Sequence, residues 1–269
     1  MTDKTNWPEP YFAEMTSTDI AEAAAHLDEW IAVLPVAATE QHGPHLPLGT
    51  DSFINEGLIA RFIAEHGEGL PATFLPTQKI GKSDEHAAFP GTLTLTADTA
   101  RGAWVQIGEA LASSGIRRLI LLNSHGGNSA LLDQVALELR HSNVLCVATA
   151  WSRLGDAGSI FGQEERDYGI HGGDIETSLM LALRPELVRM EAAENFASEQ
   201  RDFSEDFTHL RAYGRSSFGW RMEDLNRYGV VGNALAATAQ KGEALIKSSI
   251  NAFADLVRDV QRFDLDRFS

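Results

Sequence analysis

Residues 31–51 read IAVLPVAATEQHGPHLPLGTD, an apolar run followed at once by a polar segment rich in turn residues. The run over 31–38 is typical of a buried parallel strand, because helices cover both faces of such a strand. Glu40, His42 and Asp51 follow it. Ligands bind beyond the carboxyl ends of the strands in open α/β sheets. The segment therefore places candidate ligand residues where an α/β fold forms its site.

The spacing within this segment favours a metal site. Glu40 and His42 are two residues apart, and side chains at that spacing point to the same side of an extended chain. Asp51 is a candidate bridging carboxylate if it opens the next helix, near the electropositive N-terminus. The alternative is that Asp51 only caps that helix and that His42 and His45 are solvated loop residues.

A second apolar run, residues 118–123, is followed by the turn SHGGNS and then by a helix-like pattern over 130–141. His125 therefore also lies where a strand gives way to a helix. The paired glycines that follow it allow the backbone to approach a ligand closely or to adopt a positive φ angle. The pattern is typical of either a tight turn or a crowded site.

Residues 170–181, IHGGDIETSLML, form a third candidate segment. A helix-like pattern begins near Glu176 and ends before Pro185, so His171 and Glu176 flank the start of a helix and could face one cleft. The alternative is an ordinary acidic helix N-terminus, formed by Asp174 and Glu176.

A long loop, GKSDEHAAFPGTLT at residues 81–94, lies between the first two clusters. Loops of this length in compact domains are usually functional or disordered, and Phe89 together with the scarcity of charges after His86 favours order. We predict that the loop forms a wall of the substrate site. Glu85 and His86 either reach that site or form a surface pair.

Strand-like and helical runs alternate along the chain, which indicates an α/β fold with a mostly parallel sheet flanked by helices on both faces. At 269 residues the chain can bury roughly 75% of its unfolded surface, so we predict one catalytic domain over 1–269. Residues 191–228 show little periodicity and are either a solvated excursion anchored by aromatic side chains or a subunit-contact segment. The predicted helices are 19–30, 52–66 and 97–114, and the predicted strands are 31–38, 72–76, 118–123 and 144–151.

Composition restricts the partners and the compartment. The formal net charge of −16 argues against a nucleic-acid partner, because phosphate binding needs a positive surface. No apolar run reaches the length of about 18 residues that a membrane helix requires. Cys146 is the only cysteine, so no internal disulfide can form, and the acidic N-terminal segment is not typical of a signal peptide. We expect a cytoplasmic protein.

Motifs within these segments, taken in order, resemble the creatininase family of metal-dependent amidohydrolases. They are EQHGPH with the later Asp51, then FPGT, NSHGGN and HGGDIETS. The resemblance runs approximately from residue 30 to residue 190 and implies a three-layer creatininase-like fold. It implies hydrolysis of a C–N bond in a small cyclic amide or formamide. The alternatives are a peptidase of the mycofactocin-precursor type and a non-catalytic metal-binding or regulatory protein.

The resemblance implies two divalent metal ions, which the sequence leaves open as Zn, Mn or Fe. It implies that Asp51 bridges the two ions, that Glu40 and His125 bind one of them, and that His42 binds the other. Creatininase has a further Glu at the position of Gly127, so either the second ion's site is incomplete here or another carboxylate fills it, and we expect Glu176 to be that carboxylate.

We expect His171 to give a proton to the leaving nitrogen, because an imidazole can shuttle a proton near neutral pH, and we count Glu176 as the second catalytic residue. Family members commonly assemble as trimers of dimers, so a homo-oligomer is expected. The substrate is expected to be a small-molecule amide other than creatinine. The residues expected to contact it are Glu85, His86, Trp151 and Tyr168.

Overall fold

The computed structural model describes residues 7–267, and its centre is a parallel sheet of four strands in the order β2-β1-β3-β4. Each neighbouring pair is parallel, and the register aligns the carboxyl end of β1, Val36, with Asn123 at the end of β3. The two central strands therefore end side by side at one edge. The strands are β1 Ile31–Val36, β2 Ala72–Phe74, β3 Arg118–Asn123 and β4 Leu145–Ala150.

Helices connect these strands, and a short antiparallel pair lies apart from the main sheet. That pair is β5 Asn195–Phe196 and β6 Gly232–Asn233. The α-helices are α1 Ser17–Glu22, α2 Thr50–His66, α3 Ala97–Ser114, α4 Ser129–Arg140, α5 Ala157–Ile160, α6 Gln163–Tyr168, α7 Asp174–Leu183, α8 Gln200–Asp206, α9 Met222–Leu225 and α10 Ala239–Arg262.

Alternate residues of the central strands face two different layers of helices, as the pleat of a strand requires. Ile31 and Val33 of β1 pack in one apolar core with side chains of α2, α7 and α10. Ala32 and Leu34 pack in a second core with side chains of α3 and α4. The predicted three-layer α/β fold is thereby confirmed.

Most predicted elements agree with the structure to within a few residues, but the helix predicted over 19–30 does not. Helix α1 ends at Glu22, and residues 23–29 form turns. The helix starts earlier than predicted because Thr16 and Asp19 form a capping box. Leu27 and Trp30 are still buried, so the apolar spacing that suggested a helix serves a packed turn instead.

Residues 191–228 carry the small elements β5, α8 and α9. The aromatic side chains predicted as anchors pack against one another and against the long loop through Phe89. Phe207 stays 45% exposed. The aromatic side chains in the packed group are Phe89, Phe203, Tyr213, Phe218 and Trp220. Among residues 7–267, no helix is long and apolar enough to cross a membrane.

Candidate metal centre

Side chains from four separate segments meet beyond the carboxyl ends of β1 and β3. Glu40 and His42 follow β1, His125 follows β3, Asp51 lies in the first turn of α2 and Glu176 in the first turn of α7. Among residues 7–267, potential ligand atoms approach within 4.8 Å of one another in three groups. The groups are Glu40 with Asp51 and His125, His42 with Asp51 and Glu176, and Glu40 with His42 and His171.

Asp51 belongs to two of these groups and presents a different oxygen to each. Its Oδ1 lies 3.4 Å from Nε2 of His42, and its Oδ2 lies 3.4 Å from Nδ1 of His125. The helix is capped at Gly49 without a side-chain bond, so Asp51 does not act as the helix cap. This arrangement is that of a carboxylate able to bridge two cations.

In His42 and His125, the ring nitrogen that points away from the cluster, here called the outer nitrogen, is hydrogen-bonded to a backbone carbonyl. The other ring nitrogen is called the inner nitrogen. His42 Nδ1 lies 3.1 Å from the carbonyl oxygen of Glu40, and His125 Nε2 lies 2.9 Å from that of Lys82. A carbonyl can only accept, so each outer nitrogen carries the hydrogen. In the neutral form of His42 and His125 the inner nitrogens, which face the carboxylates, therefore carry the lone pairs, and this is the tautomer a metal ligand needs.

Several inner atoms of the cluster are buried without a hydrogen-bond partner. They include both carboxylate oxygens of Glu40, Oδ2 of Asp51 and Nε2 of His42. Burying such charged or polar atoms unpaired is costly, and a cation between them removes that cost. Imidazole and carboxylate ligands without thiolate suit Zn²⁺, Mn²⁺ or Fe²⁺. The residues present therefore fit a divalent metal.

The electrostatics of the cluster also favour cations. Burial opposes the charged form of His42, but Asp51, Glu176 and Glu40 outweigh it and raise the pKa of His42 to about 9. Burial likewise opposes charge on His125, yet Glu40 and Asp51 hold its pKa well above the usual value. Burial raises the pKa of Glu176 to about 7. Because carboxylates outweigh burial here, the cluster attracts protons or metal ions.

His171 lies between two other imidazoles, with ring centroids 4.2 Å from both His42 and His86. Its Nε2 donates to the carbonyl oxygen of Gln41 at 2.8 Å, so Nδ1 carries the lone pair, 3.7 Å from Oε1 of Glu40. Burial and then the neighbouring histidines keep its pKa well below the usual value. His171 is thus a neutral imidazole whose free nitrogen faces the cluster.

The long loop reaches the cluster at two residues. His86 Nε2 lies 3.4 Å from Oε1 of Glu40, and its Nδ1 accepts from the side-chain amide of Gln41 at 2.8 Å. Glu85 Oε1 lies 3.5 Å from Nε2 of His125. The surface-pair alternative therefore does not describe Glu85 and His86.

The structure does not bring the other two expected substrate contacts to the cluster. Trp151 is 5% exposed, packs on Phe253 and donates to Oδ1 of Asn55 at 2.9 Å. The side chain of Trp151, which follows β4, therefore packs in the apolar core. Tyr168 is half-buried, and its ring lies under the guanidinium of Arg201.

His45 and Asp174 have structural partners near the site. His45 is 1% exposed, and its Nε2 lies 3.0 Å from the hydroxyl of Thr177, so the solvated-loop alternative fails for it. Asp174 accepts from the Lys241 ammonium at 2.6 Å. Glu176 accepts from the backbone N–H of Gly172 at 2.6 Å, which holds its carboxylate at the start of α7.

Two further residues support the site, although the sequence predicts no role for either. Gln41 links His86 to the backbone carbonyl of Gly229. Glu165 accepts from the N–H groups of Ile175 and Asn233, and so ties down the start of the helix that carries Glu176. Gln41 stands between two candidate ligands, which is a usable signal, whereas no local pattern marks Glu165.

Known proteins resemble this chain over most of its length. The creatininase family model, described as creatinine amidohydrolase, matches residues 13–257. The mycofactocin precursor peptide peptidase of Mycobacterium ulcerans is 31% identical over 237 residues, covering 86% of this chain and 83% of that protein. The creatinine amidohydrolase of Pseudomonas putida is 28% identical over 256 residues, covering 88% of this chain and 92% of that protein.

Solved structures show the same similarity. A manganese creatininase structure superimposes with a TM-score of 0.75 at 25% identity, covering 95% of this chain and all of that one (100%). A mutant creatininase of the Zn-Zn type has a TM-score of 0.75 at 26% identity, with the same coverage of 95% and 100%.

Proposed function

The chain belongs to the creatininase family, and from this premise we propose that it is a dinuclear metal-dependent hydrolase that cleaves a C–N bond of a small amide. The prediction of a divalent metal cofactor is confirmed by the ligand clusters together with creatininase structures of zinc and manganese types. The number of ions, the residues that bind them and the substrate belong to the proposal. The single catalytic domain over 1–269 and the cytoplasmic location are also part of the proposal.

The position of Asp51 carries the proposal for two ions. Its two oxygens face His125 on one side and His42 on the other, at 3.4 Å each. We assign Glu40 and His125 to one ion together with Asp51. We assign His42 and Glu176 to the other, which gives that ion a second carboxylate although position 127 is a glycine.

The reaction needs an acidified water, a polarised carbonyl and a proton for the leaving nitrogen. Bound divalent cations supply the first two, since they lower the pKa of water towards ~7 and act as Lewis acids. His171 supplies the third. Its outer N–H is fixed on the Gln41 carbonyl, so Nδ1 is free to take the proton that the attacking water gives up and to pass it to the departing nitrogen.

The burial of the cluster supports a small substrate. Glu40, His42 and Asp51 are almost fully buried, and the side chains with more exposure are those of Glu176 at 22% and Glu85 at 19%. A substrate would reach the ions beside these two carboxylates. Carboxylates beside this approach favour a neutral or cationic amide over a phosphate-bearing molecule.

A peptidase activity is the second candidate. The observation that favours it is the 31% identity to a mycofactocin precursor peptide peptidase, slightly above the 28% identity to a creatinine amidohydrolase. The test is hydrolysis by the purified, metal-loaded protein of creatinine, other cyclic amides, formamides and short peptides. Turnover of cyclic amides or formamides alone supports the first candidate, and turnover of peptides alone replaces it with the second.

Glu176→Gln is expected to lose one of the two bound ions and most of the activity, because it removes one of the two carboxylates assigned to that ion. The measurement is metal per chain by elemental analysis, on protein purified without chelator. Glu164→Gln is the matched control, since Glu164 lies in the first turn of α6 but is 67% exposed. A wild type that holds one ion or none, with unchanged binding in Glu176→Gln, would favour the non-catalytic alternative.

We also propose that the chain forms a homo-oligomer, as a trimer of dimers. Segment 191–228 supports this because it keeps large apolar side chains on its surface, Phe207 at 45% and Leu210 at 46% exposure. Size-exclusion chromatography with light scattering is expected to give six times the chain mass. A fully active monomer would contradict both the assembly and a subunit-contact role for this segment.

A further inference from the structure

The long loop packs directly on the backbone that follows His125. A Cβ atom placed on Gly127 would collide with Oε1 of Glu85 and with the carbonyl oxygen of Lys82, and would lie 2.5 Å from Nε2 of His125. Backbone and a ligand ring cannot yield easily at such distances. The glycine at this position therefore leaves the space in which the Lys82 carbonyl and the Glu85 carboxylate lie against His125.

The outer edge of the His125 ring is surrounded by this loop. Nε2 lies 2.9 Å from the Lys82 carbonyl, 3.3 Å from the Ser83 hydroxyl and 3.5 Å from Glu85 Oε1. The opposite nitrogen, Nδ1, lies 3.2 Å from Oε1 of Glu40. The carboxylate of Glu85 is thus on the far side of the ring from the proposed ion.

We propose that Glu85 is a positioning residue that acts through His125, and that Gly127 is a glycine because it makes room for that carboxylate. The inference rests on the metal site proposed above. The Lys82 carbonyl already accepts the outer N–H of His125, and the Glu85 carboxylate places a negative charge beside that N–H, which raises the basicity of the inner nitrogen. The role differs from direct substrate contact, because Glu85 would affect the ion before any substrate binds.

The test is Zn²⁺ affinity of the full-length protein, measured by chelator competition without substrate. Loss of such outer partners typically weakens metal binding about 10–100-fold. We expect a loss of that size for one ion in Glu85→Gln, which keeps the shape of the side chain, and a changed visible spectrum of the Co²⁺-loaded variant. Asp84→Asn is the matched control, because it removes the same charge from the adjacent, 65% exposed side chain. We expect wild-type affinity in that control.

Gly127→Ala provides a second, independent variant. Its Cβ would displace Glu85 and disturb His125, so the same ion should be weakened while circular dichroism shows an unchanged fold. Equal Zn²⁺ affinity in wild type and Glu85→Gln would overturn the inference and leave the proposed function intact. A raised KM in Glu85→Gln with unchanged metal affinity would also overturn it, in favour of substrate contact. A wild type that binds no Zn²⁺ would instead overturn the proposed function itself.

Discussion

Asp51→Asn is expected to abolish hydrolysis and to lower metal content more than either Glu40→Gln or His42→Ala. Asp51 presents one carboxylate oxygen to His42 and the other to His125, so its loss weakens both proposed ions at once. A metal contributes several kcal/mol of transition-state stabilisation. At about 1.4 kcal/mol per factor of ten, the rate should fall by about 10³-fold or more.

The measurement for Asp51→Asn is metal per chain beside the hydrolytic rate, with thermal unfolding as a third readout. Metal that binds only the folded state stabilises it by mass action, so the wild type should show a metal-dependent rise in Tm that the variant lacks. Asp98→Asn is the matched control, because Asp98 is also the second residue of a long helix but is exposed. It reports any effect of losing a negative charge at a helix N-terminus.

Wild-type metal content and rate in Asp51→Asn would show that the ions, if present, lie elsewhere. Loss of metal in Asp98→Asn as well would point to a helix-terminus effect in place of a bridging ligand. An intermediate result, with one ion lost and one retained, would mean that Asp51 serves a single ion.

His171→Gln is expected to lower kcat by about 10²–10⁴-fold, the usual contribution of a general acid or base, with two ions still bound. Gln fits the space between the flanking rings of His42 and His86 better than Ala does, and it can still donate to the Gln41 carbonyl. It cannot take up a proton at neutral pH, so the rate should fall without a change in the metal site.

Metal content distinguishes proton transfer by His171 from the other role that the geometry allows, which is metal ligation. His171 also forms a ligand group with Glu40 and His42, so a ligand role would remove an ion in His171→Gln. His26→Gln serves as the control, because His26 is 38% exposed and pairs with Glu29 on the surface. A rate close to wild type in His171→Gln would exclude the proton-transfer role.

The fold could be predicted because its signals are local. The apolar runs at 31–38 and 118–123 and the helical pattern at 97–114 each reflect burial on a fixed period, which a sequence displays directly. The prediction of a helix over 19–30 was wrong, because apolar spacing alone does not distinguish a helix from the turns that bury Leu27 and Trp30.

The site could be predicted in part. Glu40, His42, Asp51, His125 and Glu176 are chemically suited to metal, and each stands next to a predicted strand end or helix start, so their convergence was predictable from the parallel sheet. Their roles remain predictions. Neither the burial of Trp151 on Phe253 nor the tie between Glu165 and Asn233 had a local signal.

The sequence by itself determined the layered α/β class, the edge of the sheet that carries the site and the types of ligand available there. Only the tertiary structure decided which nitrogen of each histidine faces inward, that Asp51 divides its oxygens between two imidazoles, and that Glu85 lies over Gly127. The physical reason is distance along the chain. Periodicity records whether a residue is buried, whereas these contacts join loops far apart in sequence, and the packing of complete layers fixes their separations.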